Sequence, residues 1–262
     1  MNICYWNIGK KGKPEDKAFY DAVSTMLDCY SPDLICFSEF EFLNDKFILE
    51  KGYFLVDEAF CDKVKCFKKD QLAFIQIRIG DRYCFVKNKE NNCLFVFLHS
   101  YDARNHDESK RLIYMQEIKG EIDEYLEDKN ETNVFIVGDF NCMPYEASIV
   151  NKDVLNCTLF RRLLNTKEGA KERYYNPMLL LLSEEKDIYG SYFNDSLPNN
   201  LKWYLLDQII VNKNADNIID YNSIKLMTTI GTIDIMKNGK PNVDLYSDHL
   251  PLYFEIKEKP YE

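Results

Sequence analysis

Glycine and proline are sparse in this sequence, at 10 and 8 of 262 residues, and neither gathers into a stretch that would serve as a linker. That excludes collagen-like and low-complexity chains, and the lack of any internal repeat excludes a solenoid. No apolar run approaches the ~20 residues needed to cross a bilayer, and the opening MNICYWNIGKKG lacks a basic segment followed by an apolar one. A protein with no membrane association, located in the cytoplasm, is expected. Positive charge is also in deficit: 33 Lys and Arg against 43 Asp and Glu leave a net charge of −10. Such a surface repels polyanions as a whole, so a phosphate-bearing substrate has to be held locally. The nine cysteines are odd in number and contain no CxxC pair, which argues against a zinc or disulfide framework. Cys4, Cys36 and Cys84 lie inside apolar runs, where a reduced thiol acts as a small buried hydrophobe; a reducing compartment follows.

What is present is apolar and aromatic: 46% of residues are hydrophobic and 14% aromatic, enough for a substantial core in one domain spanning 1–262. Short runs rich in β-branched and aromatic residues read as strands at 2–6, 33–37, 72–79, 82–86, 93–98, 133–137, 205–211 and 251–256. Helical spacing appears at 14–30, with Phe19, Ala22, Val23, Met26 and Leu27 on one face, and at 108–127, with Leu112, Met115, Ile118, Ile122, Tyr125 and Leu126. The fold class is therefore α/β in the broad sense. The pair 72–79 and 82–86, joined by Gly80-Asp81, looks like an antiparallel hairpin, so a two-sheet sandwich flanked by helices fits better than a doubly wound parallel sheet. The irregular stretch at about 142–203, with its own aromatics and basic residues, is expected to be a substrate-facing insertion.

Polar residues recur where strands end. NVFIVGDFNCMP at 133–144 is an apolar strand closing on Asp139 and Asn141, two residues apart and so on one side of the backbone. Alone it could equally be an Asx-rich turn. DLYSDHLPLYFEI at 244–256 puts Asp248 and His249 directly before a strand, and the chain has only three histidines to place. Ile3–Trp6 runs into Asn7, and Leu34–Phe37 into Ser38 and Glu39; Asn7 and Glu39 offer the oxygen donors a hard cation selects. Leu94–Leu98 ends at His99, and Asp207 interrupts an otherwise apolar strand, where a buried acid needs a partner such as an imidazole.

The series Asn, Glu, His, Asp-x-Asn, Asp, Asp-His resembles the endonuclease/exonuclease/phosphatase superfamily, whose members carry WN, E, H, GDFN, LD and SDH along a four-layered αββα sandwich of two mainly antiparallel sheets. The resemblance runs from Trp6-Asn7 to Asp248-His249, and the segments Tyr174–Met178, Tyr189–Tyr192 and Trp203–Gln208 look like those of a bacterial subgroup of undefined substrate. It implies that Asp139 orients or deprotonates the attacking water and that Asn141 holds a non-bridging phosphate oxygen. His249 would face the scissile phosphate with Asp207 fixing its ring, and His99 would be a second imidazole on the phosphate. It further implies Mg²⁺, with Mn²⁺ an acceptable substitute, on Glu39 with Asn7 and Asp248 close by. There are departures: some nuclease members have an acid where Gly9 stands and Gln where Ser38 stands, and no carboxylate is identified as the partner of His99. Within the insertion, Asn176 and Tyr192 are candidates for substrate contact.

The expected function is Mg²⁺-dependent hydrolysis of a phosphate ester, first as a nuclease on DNA or RNA. Lys10-Lys11-Lys13, Lys63-Lys65-Lys68-Lys69 and Arg161–Arg173 are the clusters that could track a backbone. The alternative is a phosphatase or phosphodiesterase of a small nucleotide or inositol phosphate, which the acidic total favours. A catalytically silent binding module is a third reading, disfavoured because every mapped chemical position is filled. No obligate protein partner is evident.

Overall fold

A computed structural model describes residues 1–56, 61–69, 74–102, 107–127, 129, 131–164, 172–183, 189–196 and 201–257. Lys167, Lys171, His106 and the first two residues of the strand expected at 72–79 lie outside the described residues.

Two large sheets take in the expected strands together with Tyr53–Leu55, Val64–Lys69, Cys157–Thr158, Tyr174–Tyr175 and Ile219–Leu226, which the apolar runs do not indicate. The first has the order Ile219–Leu226, Leu252–Ile256, Asn2–Asn7, Leu34–Ser38, Val64–Lys69, Tyr53–Leu55, and only its Asn2–Asn7/Leu34–Ser38 pair is parallel. The second runs Phe74–Ile79, Tyr83–Asn88, Cys93–His99, Asn133–Asp139, Asp207–Val211, Tyr174–Tyr175, Cys157–Thr158; antiparallel pairs again predominate. The hairpin across Gly80-Asp81 is antiparallel as the sequence indicates.

Period-two alternation explains the layering. In the second sheet Leu94, Val96, Leu98, Val134 and Ile136 meet Tyr114, Met115, Ile118 and Ile122 of the Glu108–Leu126 helix. Their neighbours Phe95, Phe97, Phe135 and Val137 turn to the opposite side, where Phe135 stacks on Phe254 of the first sheet at 6.0 Å. On the far face of the first sheet, Cys4 Sγ lies 3.3 Å from Met26 Sδ, and the Trp6 ring 5.4 Å from that of Phe19, so the Lys17–Tyr30 helix covers that side. Helix, sheet, sheet and helix are thus stacked as the αββα sandwich requires. Each large apolar side chain so buried contributes roughly 1.5–3 kcal/mol.

The first helix starts at Lys17 rather than Pro14. The Asp16 carboxylate turns back to accept the N–H groups of Gly12 and Lys13, both at 3.0 Å, and this closes a turn over the residues expected to open the helix. All nine cysteines are free, and eight of them are buried. Among the described residues no helix is long and apolar enough to cross a membrane.

Strand direction collects the polar ends at one edge of the sandwich. Cys93–His99 and Asn133–Asp139 are parallel and end in register, His99 beside Asp139, while antiparallel Asp207–Val211 begins at Asp207, beside Asp139 on the other side. In the facing sheet Asn7 ends in register with Ser38, and the antiparallel Leu252–Ile256 strand starts just after His249.

Candidate active site

The GDFN turn is shaped by backbone packing. Gly138 has φ +156°, and a Cβ there would lie 2.0 Å from Leu98 O, so no larger residue fits between these paired strands. Asp139 follows, almost wholly buried. Its Oδ1 accepts the Asn141 N–H at 2.9 Å, its Oδ2 accepts Asn7 Nδ2 at 2.9 Å, and its own N–H donates to Tyr5 Oη at 2.9 Å. Tyr5 Oη also lies 2.7 Å from Ser38 Oγ, tying the floor of the site across both sheets. Glu39 and Asn141 both adopt left-handed backbone, φ +52° and +51°, a conformation that costs about 1–3 kcal/mol outside glycine and that often marks functional positions.

Two imidazoles flank Asp139, and they are held in opposite ways. His249 Nδ1 is 2.8 Å from Asp207 Oδ2, and its Nε2 is 3.9 Å from Asp139 Oδ2. Burial alone would lower the pKa of this ring, but the hydrogen-bonded Asp207 carboxylate, with Asp139 and Asp248, raises it to about 10, so it is an imidazolium at neutral pH. Its backbone is fixed by Trp6 Nε1 donating to His249 O at 3.0 Å and by His249 N–H donating to Ser247 Oγ at 3.0 Å. His99 Nε2 lies 3.5 Å from Glu39 Oε1 and 3.6 Å from Asp139 Oδ2. Burial lowers its pKa to about 4, with Asp139 opposing and Arg82 adding to the fall, so His99 is neutral. Burial raises the Asp139 carboxyl above the ordinary range; the His249 cation opposes this and Asp207 adds to it. Glu39 is likewise raised by burial, against the pull of His249.

These groups open on a cavity of about 350 Å³ whose wall, among the described residues, carries Glu39, Asp102, Asp139, Glu146 and Asp248 with one arginine, Arg111. The Asp139, Asp207 and His249 ligand atoms lie within 4.8 Å of one another. That trio is a hydrogen-bonded Asp207–His249 pair beside Asp139 rather than an ion cage, because Asp207 is fully buried and its Oδ2 is already engaged by His249 Nδ1, while His249 Nε2 stands 3.9 Å from Asp139 Oδ2. Glu39 and Asp248 instead present carboxylate oxygens to the cavity, a donor set that suits a hard divalent cation. Asn7, expected beside the metal, turns its amide nitrogen to Asp139 and to Glu39 (3.4 Å), while its Oδ1 accepts the Gly9 N–H at 3.1 Å; it sets the two carboxylates. A Cβ on Gly9 would come within 2.9 Å of Asp248 Oδ1 on left-handed backbone (φ +53°), so an acid at this position would require the Asp248 side chain to move.

The remaining candidates separate. Asn141 lines the cavity, its side-chain amide donating to Ser100 O at 3.0 Å. Tyr192 also lines it, its ring 4.7 Å from that of His249. Asn176 does not. It is 1% exposed, its Nδ2 donates to Gln208 Oε1 at 2.7 Å and its Oδ1 accepts the Met178 N–H, so both ends of the amide serve the fold. The basic clusters are also largely committed internally. Lys65 pairs with Asp45 (2.9 Å), Lys68 donates to Phe74 O, Lys69 to Ser31 Oγ, Arg161 to Asp216 (2.7 Å) and Arg173 to Leu163 O. Sequence reasoning did not find Ser191, whose Oγ accepts the N–H groups of Leu206 and Asp207 and so fixes the start of the Asp207 strand. Nor did it find Tyr5, for which the inward phase of the first strand was the available signal, or Arg82, which nothing local marks.

A sequence profile of the Endonuclease/Exonuclease/phosphatase family matches residues 85–258. No curated protein matches the chain. Among solved structures, truncated TDP2 of Caenorhabditis elegans superposes with TM-score 0.63 at 13% identity, over 98% of this chain and 96% of that one. A humanized D. rerio TDP2 gives 0.61 at 16% identity over 98% of each chain. The Bacteroides thetaiotaomicron mannosyl-6-phosphatase Bt3783 gives 0.59 at 16%, over 98% and 99%. At these identities the structures speak for the fold, and the profile, which spans well over half of the sequence, speaks for descent: the chain belongs to the endonuclease/exonuclease/phosphatase family.

Proposed function

We propose that the chain is a divalent-cation-dependent phosphoester hydrolase whose substrate is a compact phosphate ester. The observation that carries this reading is the row His99, Asp139, Asp207–His249 facing Glu39 across one acidic cavity. Asp139 orients the attacking water and takes its proton, a role suited to a carboxyl whose basicity burial has raised. Asn141 and the neutral His99 donate hydrogen bonds to non-bridging oxygens. His249, kept cationic by Asp207, faces the phosphate and offsets the charge that gathers in the transition state. Mg²⁺, or Mn²⁺ in its place, would be held by Glu39 and Asp248 and would supply Lewis-acid neutralisation of the phosphoryl group.

Among the described residues the cavity wall favours a compact substrate: five carboxylates against Arg111 and the cationic His249 suit a single phosphate group centred on a cation better than a long polyanion. A nuclease is the second reading. It draws on Lys11 in the adjoining cavity, which shares Gly9, Tyr192 and Asp248, and on the D. rerio TDP2 structure solved with a single-strand DNA product. A Mg²⁺-dependent panel of nitrophenyl phosphates, sugar and inositol phosphates, cyclic dinucleotides, RNA and single-stranded DNA, with Asp139→Asn as the blank, separates the two. Turnover confined to the small esters, with shallow salt dependence, is expected; steep salt inhibition on polynucleotides would favour the nuclease.

A further inference from the structure

Among the described residues no carboxylate stands behind the His99 ring, on its Nδ1 side. Its Nδ1 faces Nη2 of Arg82 at 3.3 Å, and the same guanidinium donates from Nε to His99 O at 2.8 Å and from Nη2 to Ser100 O at 3.2 Å. A guanidinium has five N–H donors and no acceptor. The Nδ1 atom beside it must therefore be the unprotonated, accepting nitrogen, which places the ring proton on Nε2, the atom on the side of Glu39 and Asp139. The arginine is itself anchored. Its carbonyl accepts the His99 N–H at 3.0 Å and Tyr114 Oη at 2.9 Å, and its guanidinium lies 4.7 Å from the centre of the Tyr101 ring. Among the described residues no carboxylate pairs with it, so its hydrogen bonds go to the His99–Ser100 segment.

We propose that Arg82 is a positioning residue for the hydrolysis, fixing His99 as the Nε2–H tautomer so that the ring offers the phosphate a donor and never a lone pair. The inference rests on the reaction proposed above. It gives the two imidazoles distinct parts: His249, backed by a carboxylate, brings a charge, and His99, backed by a guanidinium, brings a directed N–H. A lone pair turned toward the phosphoryl oxygens would repel them, so losing the tautomer removes one stabilising donor and inverts its sign.

The ring state can be read without turnover. With only three histidines in the chain, ¹⁵N-histidine labelling and a His99→Gln assignment variant resolve the His99 nitrogens by NMR. In the wild-type chain His99 Nδ1 should resonate as an unprotonated nitrogen and Nε2 as a protonated one. Arg82→Met should mix the tautomers and lower kcat on bis(4-nitrophenyl) phosphate about 10–100-fold with KM little changed, and Arg82→Lys, which restores one donor, should recover both. A protonated Nδ1 in the wild type overturns the proposal, as does an Arg82→Met variant that keeps the wild-type ring state or the wild-type kcat. A fall in kcat at an unaltered ring state would mean a merely structural arginine. A wild type inactive on every ester counts against the proposed reaction, while the NMR still decides whether Arg82 sets the ring.

Discussion

Asp207→Asn isolates charge from geometry at His249. The amide is nearly isosteric and its oxygen can still accept from His249 Nδ1, so ring orientation survives while the carboxylate charge is lost. In the wild type the ring is raised from 6.5 to about 10, and at roughly 1.4 kcal/mol per tenfold this is on the order of 5 kcal/mol in favour of the imidazolium. Asp207 is the foremost of the raising causes, so without it burial prevails and His249 becomes neutral at pH 7. Turnover at neutral pH should then fall about 10²–10⁴-fold, since the charge offsetting the transition state is gone. Stability carries the same signature with a defined sign. A ring whose folded pKa lies above its unfolded value adds stability that is fully present below about 6.5 and is lost as pH rises through about 10. The wild type should therefore exceed Asp207→Asn by about 3 kcal/mol in urea denaturation at pH 6, and the gap should narrow toward pH 10. A gap of constant size across that range, or a His249 ring still cationic at pH 8 in the variant, would refute the reasoning.

Gly138→Ala should cost about 3 kcal/mol or more, read as a lower denaturation midpoint, because its Cβ would meet Leu98 O at 2.0 Å with φ at +156°. Asn176→Ala should lose about 1–3 kcal/mol of stability by stranding Gln208 and the Met178 N–H, with kcat/KM unchanged; an isolated rise in KM would return it to the substrate site. Mg²⁺ should raise the Tm of the wild type and Glu39→Gln should abolish that rise; an equal rise in the variant would remove Glu39 from the metal site. His99, held near pKa 4 and so neutral when folded, should make the protein lose stability as pH falls from about 6.5 toward 4, and His99→Gln should flatten that limb.

The main features of the fold were legible because the strand period is clean: the alternation in Leu94–Leu98 and Val134–Val137 sorts each residue to the helix side or the sheet side. The polar strand ends were legible as a set since each interrupts an apolar run, and strand direction brought Asn7, Glu39, His99, Asp139, Asp207 and His249 to one edge. What stayed hidden depends on partners distant in sequence. Arg82 sits in an unremarkable hairpin, and only the Tyr83/Leu98 register carries it behind His99. Asn176 was a candidate for substrate contact within the aromatic-rich insertion, yet Gln208, buried on a neighbouring strand, claims its amide. The basic clusters misled for the same reason: acids such as Asp45 and Asp216, 20 and 55 positions away, take up charges that local sequence leaves free.

The central claim is tested most directly by nitrophenolate release from bis(4-nitrophenyl) phosphate and 4-nitrophenyl phosphate, comparing Mg²⁺ with a chelator in the wild type, Asp139→Asn and His249→Ala. Turnover that requires the cation and disappears in both variants is the predicted result. Turnover that survives chelation, or that persists at the wild-type rate without Asp139 and His249, would contradict it.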